Sequence, residues 1–328
     1  MVISKTPLRI SFFGGGTDYP DYFTHHGGAV LSTTIDKYVY ITVNQLSLIS
    51  EYKYKATYSK VELCHKIEEI VHPSIRECIR YLDVLDGIEV HTISDLPAKT
   101  GLGSSSTFTV GLLNALHAYK NHAIPSLKLA QEAIFVEQKL IGEKVGVQDQ
   151  TAAAFGGLNY FKFHQDGSID CKPVVFTQKR KLEFKDHLLL YYTGIQRFAE
   201  EVLKEQIDKT KTGEANVDLV AIRRMVDQGY EILTTDTNLV EFGELLHHAW
   251  ITKKNLSGTI SNGHLDDMYD LAMKAGAIGG KLLGAGGGGF FLFFAQPSNH
   301  AKIRKALEKF IEIKFNFDSA GSNIIFMH

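Results

Sequence analysis

Three glycine clusters mark where the chain could meet a phosphate: residues 14–16, Gly101 with Gly103, and Gly284 followed by residues 286–289. The second lies in PAKTGLGSSS, residues 97–106, directly before an apolar run with helical spacing. Free N–H groups of a helix start, the helix dipole and serine hydroxyls can converge there on an anion. Glycine suits such a loop because a β-carbon would hold the backbone off the phosphate and because positive φ is cheap only for glycine. The alternative is an ordinary capped helix start with GLG as a turn. No GxxxxGK[ST] occurs, and Lys281 is followed by Leu282, which excludes a P-loop. Gly284, Gly286 and Gly289 satisfy GxGxxG but precede the strand-like FFLFF rather than a helix, so this is no dinucleotide fingerprint. HRD and DFG are absent, which removes the protein kinases. On its own the third run reads equally as a loose hairpin connection. The histidine pairs His25 with His26 and His247 with His248 form no HExxH or other ligand pattern, and no zinc is expected.

The elements that must hold these loops follow from apolar periodicity. Strands are expected at 2–11, 29–34, 37–43 and 88–93, and a polar helical stretch at 62–82, broken near Pro73. The helix after the serines, 107–120, carries Phe108, Leu112, Ala115 and Leu116 on one face. A second helical run extends from Ser126 to about Ile141, and GVQDQTAAAFGG leads into strands at 158–163 and 170–176. The pattern changes after the charged QKRKLEFKD, which places a domain boundary near Lys185, dividing the chain into 1–185 and 186–328. The second half begins with the strand HLLLYYTG, and three or four helices follow over 196–275. A glycine-linked hairpin, a helix at 299–310 and strands at 311–317 and 323–327 complete a helix-backed antiparallel sheet.

Length agrees, since 328 residues suit two domains better than one. Lys plus Arg total 35 against 37 for Asp plus Glu, a net charge of −2, in a chain 44% hydrophobic, which argues against a nucleic-acid binder or a disordered acidic tail. No window reaches the roughly 18 apolar residues of a membrane span, and MVISKTPLRISFFGGG lacks the apolar stretch of a signal peptide, so a cytoplasmic protein without membrane contact is expected. Cys64, Cys78 and Cys171 are scattered and read as reduced thiols. The helix-rich faces after Val217 could pair subunits into a homodimer or pack in a core.

Together the three clusters resemble the motifs of the GHMP kinases, the superfamily of galactokinase, homoserine kinase and mevalonate kinase. TPLRISFFGGGTDY at 6–19 is similar to its N-terminal motif, PAKTGLGSSS to its phosphate loop and GGKLLGAGGGGFF at 279–291 to its third motif, in the family's order. The resemblance spans nearly the whole chain. It implies an α+β fold with a ribosomal-protein-S5-like N-terminal domain and a ferredoxin-like C-terminal domain, binding ATP and Mg2+. Within the superfamily, RISFFGGGTDYPDYF followed by HGGAVLSTTIDKYVYI resembles the kinases of D-glycero-D-manno-heptose 7-phosphate more than galactokinase, where GEHTD replaces GGGTD. The implied reaction is ATP-dependent phosphorylation of the anomeric hydroxyl to the 1,7-bisphosphate, for nucleotide-activated heptose synthesis. The rivals are a 1-kinase for free fucose or galactose, and a catalytically silent sugar and nucleotide sensor.

The resemblance also implies roles. Asp149, in GVQDQ, is the carboxylate beside the acceptor hydroxyl, or else caps the helix that follows. Arg9 holds Asp149 ionised and orients it, or is a strand arginine facing water. Pro97, Lys99, Gly101, Leu102, Gly103, Ser104, Ser105 and Ser106 carry the nucleotide phosphates, with Lys99 standing where a small residue is expected. Ser105 and Glu137 would hold magnesium, or be a helix-start serine and a solvated glutamate. Gly15, Gly16, Thr17 and Asp18 are assigned to the sugar with Gly286 and Gly287, although Asp18 equally suits a turn cap. Apart from the resemblance, a substrate already carrying a phosphate needs a second anion site, which the guanidinium of Arg197, after TGIQ, could supply; the other reading is a solvated helix arginine.

Overall fold

The computed structural model describes every residue except 48, 85, 86, 197 and 198, and the side chains of 199–204 and 206 are also outside the description. Its N-terminal half runs β1 (Val2–Phe13), α1 (Pro20–His26), β2 (Gly28–Gln45), β3 (Tyr54–Thr57), β4 (Val61–Cys64), α2 (Pro73–Tyr81), β5 (Ile88–Ser94), α3 (Ser104–Tyr119), α4 (Ser126–Phe135), α5 (Gln148–Phe155), β6 (Leu158–Phe163), β7 (Ile169–Pro173) and α6 (Gln178–Asp186). The second half runs β8 (Leu188–Tyr192), α7 (Ala199–Thr212), α8 (Asn216–Thr234), α9 (Val240–Asn255), α10 (Gly263–Lys274), β9 (Ala277–Leu282), β10 (Phe290–Ala295), α11 (His300–Ala306), β11 (Ile311–Glu312), β12 (Phe317–Asp318) and β13 (Asn323–Met327).

Two sheets result. The larger is ordered β13-β1-β2-β5-β3-β4, with β12 and β6 also on β2 and β7 on β6; the smaller is β11-β8-β10-β9. The two strands expected at 29–34 and 37–43 are one: β2 gives its first half to β6 and its second to β5. Helix α3 lies on β1 and β2, which its nearly continuous apolar burial requires. Phe12 packs edge-on against Phe184 and Phe242, with ring centres 5.5 Å away in each case, and both rings also meet Phe294 of β10. One hydrophobic core therefore joins the two sheets.

Three expectations need correction. The stretch 62–82 is not helical throughout: β4 and a short 3-10 turn precede α2, and Pro73 starts that helix, where its missing N–H costs nothing. The strand expected at 311–317 is two bridges, β11 on β8 and β12 on β2. The chain passes from one sheet to the other near residue 187, but β12 and β13 return to the first sheet, β13 pairing with β1 and Ser322 bonding Thr6 and Asn114. The charged QKRKLEFKD forms helix α6, with Phe184 buried. No helix among the described residues is long and apolar enough to cross a membrane.

The glycine clusters meet backbone to backbone. A β-carbon on Gly101 (φ +83°) would lie 2.5 Å from the Leu283 carbonyl oxygen, and one on Gly289 (φ +103°) 2.3 Å from that of Thr100. The phosphate loop and the third glycine loop can therefore touch only if these positions lack side chains. Gly101→Ala should lower stability by about 1–3 kcal/mol, read as a fall in melting temperature. An unchanged melting temperature would show that the loops do not need this approach.

Candidate active site

Strand β1 brings Arg9 to the phosphate loop through register shifts between Pro7 and Arg9 and between Ser11 and Phe13. The Arg9 N–H donates to Leu102 O at 3.1 Å, tying strand to loop. Its side chain is 3% exposed, and a guanidinium so buried needs partners for its donors. Nε and Nη2 donate to Asp149 Oδ1 and Oδ2 at 2.7 and 2.8 Å, and Nη1 donates to Gly101 O at 2.6 Å. The fork is bidentate and fixes the plane of the carboxylate. Asp149 stands in the first turn of α5, partly exposed, at the helix end that favours an anion. A β-carbon on Gly103 would lie 3.2 Å from Asp149 Oδ2, so the carboxylate borders the phosphate loop.

Helix α3 opens at that border. Gly103 caps it in a left-handed turn (φ 76°), and no side chain among the described residues caps its N–H groups. Ser104 accepts from Lys99 N at 3.3 Å, Ser105 is exposed, and Ser106 is buried. Pro97 and Lys99 are exposed, and Leu102 is fully buried beneath the loop. Lys99, the departure noted from sequence, takes a left-handed backbone (φ 63°) that a glycine would adopt more readily.

Glu137 lies in a π-helical turn, Val136–Ile141, that continues α4, and it is 1% exposed. The hydroxyl that reaches it is Ser106 Oγ, at 2.9 Å, rather than Ser105; Gln150 Nε2 donates to the same oxygen. Glu137 Oε1 is buried with no partner among the described residues. Burial pushes this carboxyl up to about 7, against the hydrogen bonds from Ser106 and Gln150. An orphaned carboxylate oxygen beside the phosphate-loop helix suits a hard cation such as Mg2+, which takes oxygen ligands and keeps several waters. No group of three or more His, Cys, Asp or Glu that could hold a metal occurs among the described residues, so water and nucleotide oxygens would have to complete the shell.

The residues assigned to the sugar are more enclosed than expected. Asp18 is 1% exposed, and its oxygens accept from Gly16 N at 2.9 Å and Gln148 N at 3.3 Å. Burial, then the charge of Asp149, raises its carboxyl to about 6. Thr17 is buried and donates to Gly14 O and Ala29 O. Gly15 is half-buried and Gly16 buried. Gly287 is buried with its N–H on Ile260 O, while Gly286 (φ 126°) is half-buried against Ile260. Arg197 lies outside the described residues.

Two lysines near the site were not singled out from sequence. Lys253 Nζ donates to Leu282 O at 3.1 Å and Gly284 O at 2.5 Å, and Lys281 Nζ to Phe12 O at 2.9 Å. Lys281 sits among Gly279, Gly280, Leu282 and Leu283, so a lone cation in an apolar strand was its signal. Lys253, in ITKKN, looks like any helix-end lysine and gave none.

A carboxylate clamped by arginine beside a glycine-walled helix start without a side-chain cap is an arrangement suited to passing a phosphoryl group to a hydroxyl. The comparisons with known proteins agree with that class. The family model for the GHMP kinases N terminal domain matches residues 65–157 and that for the GHMP kinases C terminal matches 231–313. The D-glycero-alpha-D-manno-heptose 7-phosphate kinase of Campylobacter jejuni is 30% identical over 93% of this chain and 93% of its own. A galactokinase of Pyrococcus furiosus is 27% identical over 93% of this chain and 94% of its own. A solved D-glycero-D-manno-heptose 1-phosphate kinase from Bacteriodes thetaiotaomicron superposes with a TM-score of 0.79 at 25% identity, covering both chains completely. This chain belongs to the GHMP kinases, and it is an α+β kinase of two domains.

Because burial raises the Glu137 pKa from 4.5 to about 7, its neutral form favours the folded state. That contribution is complete below about pH 4.5 and is lost as pH rises through 7. Glu137→Gln should therefore raise the melting temperature of the metal-free protein at pH 8, with the gain gone by about pH 4.5. A gain independent of pH would contradict a buried, titrating Glu137.

Proposed function

We propose that the protein is an ATP-dependent sugar kinase of the cytoplasm that phosphorylates the anomeric hydroxyl of D-glycero-D-manno-heptose 7-phosphate, giving the 1,7-bisphosphate and ADP. The observation that carries the choice of acceptor is the 30% identity, over nearly the full length of both chains, to a kinase named for that sugar phosphate. Support for the chemistry comes from the Arg9–Asp149 pair at the edge of the phosphate loop.

In this reading the nucleotide phosphates lie along residues 97–106, against the N–H groups of the α3 start. The anomeric oxygen sits beside Asp149, which orients the hydroxyl and takes its proton as the oxygen–phosphorus bond forms and the bond to the ADP oxygen breaks. Arg9 fixes the carboxylate through its two-bond fork, so it acts through orientation and charge. Mg2+, held by Glu137 and Ser105 as the family resemblance implies, would neutralise charge on the nucleotide phosphates. Gly15, Gly16, Thr17 and Asp18 with Gly286 and Gly287 would form the sugar side, chiefly through backbone, since Thr17 and Asp18 have their polar atoms engaged within the fold.

The test is an ATP-consumption assay with Mg2+ on the heptose 7-phosphate, galactose and fucose, with phosphorus NMR of the product. Turnover on the heptose phosphate with a new anomeric phosphate is expected; turnover on a free sugar alone would move the reading to a galactose or fucose 1-kinase, and binding without turnover to a silent sensor. Asp149→Asn should lower kcat by roughly 10²–10⁴ while leaving nucleotide affinity nearly unchanged, because the carboxylate serves the acceptor. Turnover near the wild-type rate would remove Asp149 from the mechanism.

A further inference from the structure

Lys253 and Lys281 are 8% and 6% exposed, and neither makes an ion pair among the described residues; both donate to backbone carbonyls, those of Leu282, Gly284 and Phe12. A buried ammonium held only by neutral carbonyls is poorly compensated for the water it has lost. Burial and the charge of Arg9 bring Lys253 down to about 7; burial, then Lys253 and Arg9, hold Lys281 well below its ordinary value, against the opposing charge of Asp18. Arg9 is matched by Asp149, and the Asp18 carboxylate accepts from the Gly16 and Gln148 N–H groups. Neither lysine thus has an ion-pair partner among the described residues, and an anion brought beside them would favour their charged forms.

Both line one small cavity, together with Phe13, Gly14, Gly15, Ile222 and Ala249. An ammonium has three N–H donors, and with two engaged on Lys253 and one on Lys281, three remain for a guest. Gly14 must be glycine, since a β-carbon there would lie 2.0 Å from Ala29 O; at Gly15 a β-carbon would find only Gln148 Nε2, at 3.6 Å, so the space in front of it is open. Both glycines belong to the loop assigned above to the sugar.

We propose that Lys253 and Lys281 form the seat for a phosphate monoester carried by the acceptor at the end remote from the reacting hydroxyl, entering over Gly14 and Gly15. The proposal rests on the reading of the acceptor as a sugar phosphate, and it assigns the second anion site to helix α9 and strand β9 rather than to Arg197. The phosphate brings the negative charge that the two lysines lack, and an acceptor without it would leave them uncompensated.

Two measurements on Lys253→Met test this. In steady-state kinetics the variant should raise the KM for heptose 7-phosphate roughly 10–100-fold, as expected for lost hydrogen bonds to a charged group, with the KM for ATP and turnover of the unphosphorylated heptose little changed. An equal loss on both acceptors, or no loss on either, would overturn the proposal. Separately, with the nucleotide site filled by a non-hydrolysable ATP analogue, inorganic phosphate should raise the melting temperature of the wild type and not of the variant; the same shift in both, or none in the wild type, would overturn it. If that difference is seen while heptose 7-phosphate is not turned over by the wild type, the anion seat stands and the substrate assignment fails. Lys281→Met should give the same pattern and serves if the first variant does not fold.

Discussion

The clamp of Arg9 on Asp149 and Gly101 is the constraint around which the rest is arranged. A guanidinium that is 3% exposed has lost its water, and three directed bonds must replace it. Those bonds join three parts of the chain far apart in sequence: β1, the phosphate loop and the first turn of α5. The register shifts in β1 bring Arg9 to the loop, and the absence of a side chain at Gly103 lets Asp149 come close. If the fork is to keep its geometry, α3 and α5 must both start at the same point, and the carboxylate and the helix-start N–H groups then face one volume.

The second domain completes this volume through backbone contact. Gly284 and Gly289 approach Gly101 and Thr100 too closely for side chains, and Lys253 bonds the carbonyls of Leu282 and Gly284 on the far side. The aromatic cluster of Phe12, Phe184, Phe242 and Phe294 holds the two sheets in the relation these contacts need. Arg9, Lys253 and Lys281 stand near the site with Asp149 and Asp18, and burial disfavours the charged forms of both lysines and of Asp18 alike. Where water is excluded, each charge that is kept acts on a phosphate more strongly than it would at the surface.

Much of this was legible in the residues. Alternating and continuous apolar runs marked β1, β2, α3 and the hairpin of β9 and β10, because their burial is one-sided or complete and the pattern must match. The stretch 62–82 misled because Glu62, Glu68 and Glu69 suggest a polar helix, whereas Glu62 spends its carboxylate on Tyr58 and on the N–H groups of Val71 and His72, stabilising a turn. The return of β13 to β1 depends on contacts more than 300 residues apart in the chain, for which local pattern carries no signal. At the site, Arg9, Asp149 and Glu137 were identified through motif resemblance and meet the phosphate loop. That Ser106, and not its neighbour, bonds Glu137 follows from a helix turning 100° per residue, so that a single step decides which hydroxyl faces inward. Lys253 escaped notice because burial of a helix-end lysine is a tertiary fact.

The most direct test of the account is a double-mutant cycle on kcat/KM with Arg9→Met, Asp149→Asn and the pair. If the arginine acts by holding the carboxylate, each single change removes most of what the pair contributes, and the double variant should be little worse than Asp149→Asn alone. Losses that multiply, the double variant falling by the product of the two single effects, would mean that Arg9 and Asp149 act independently and that the clamp is not the centre of the site.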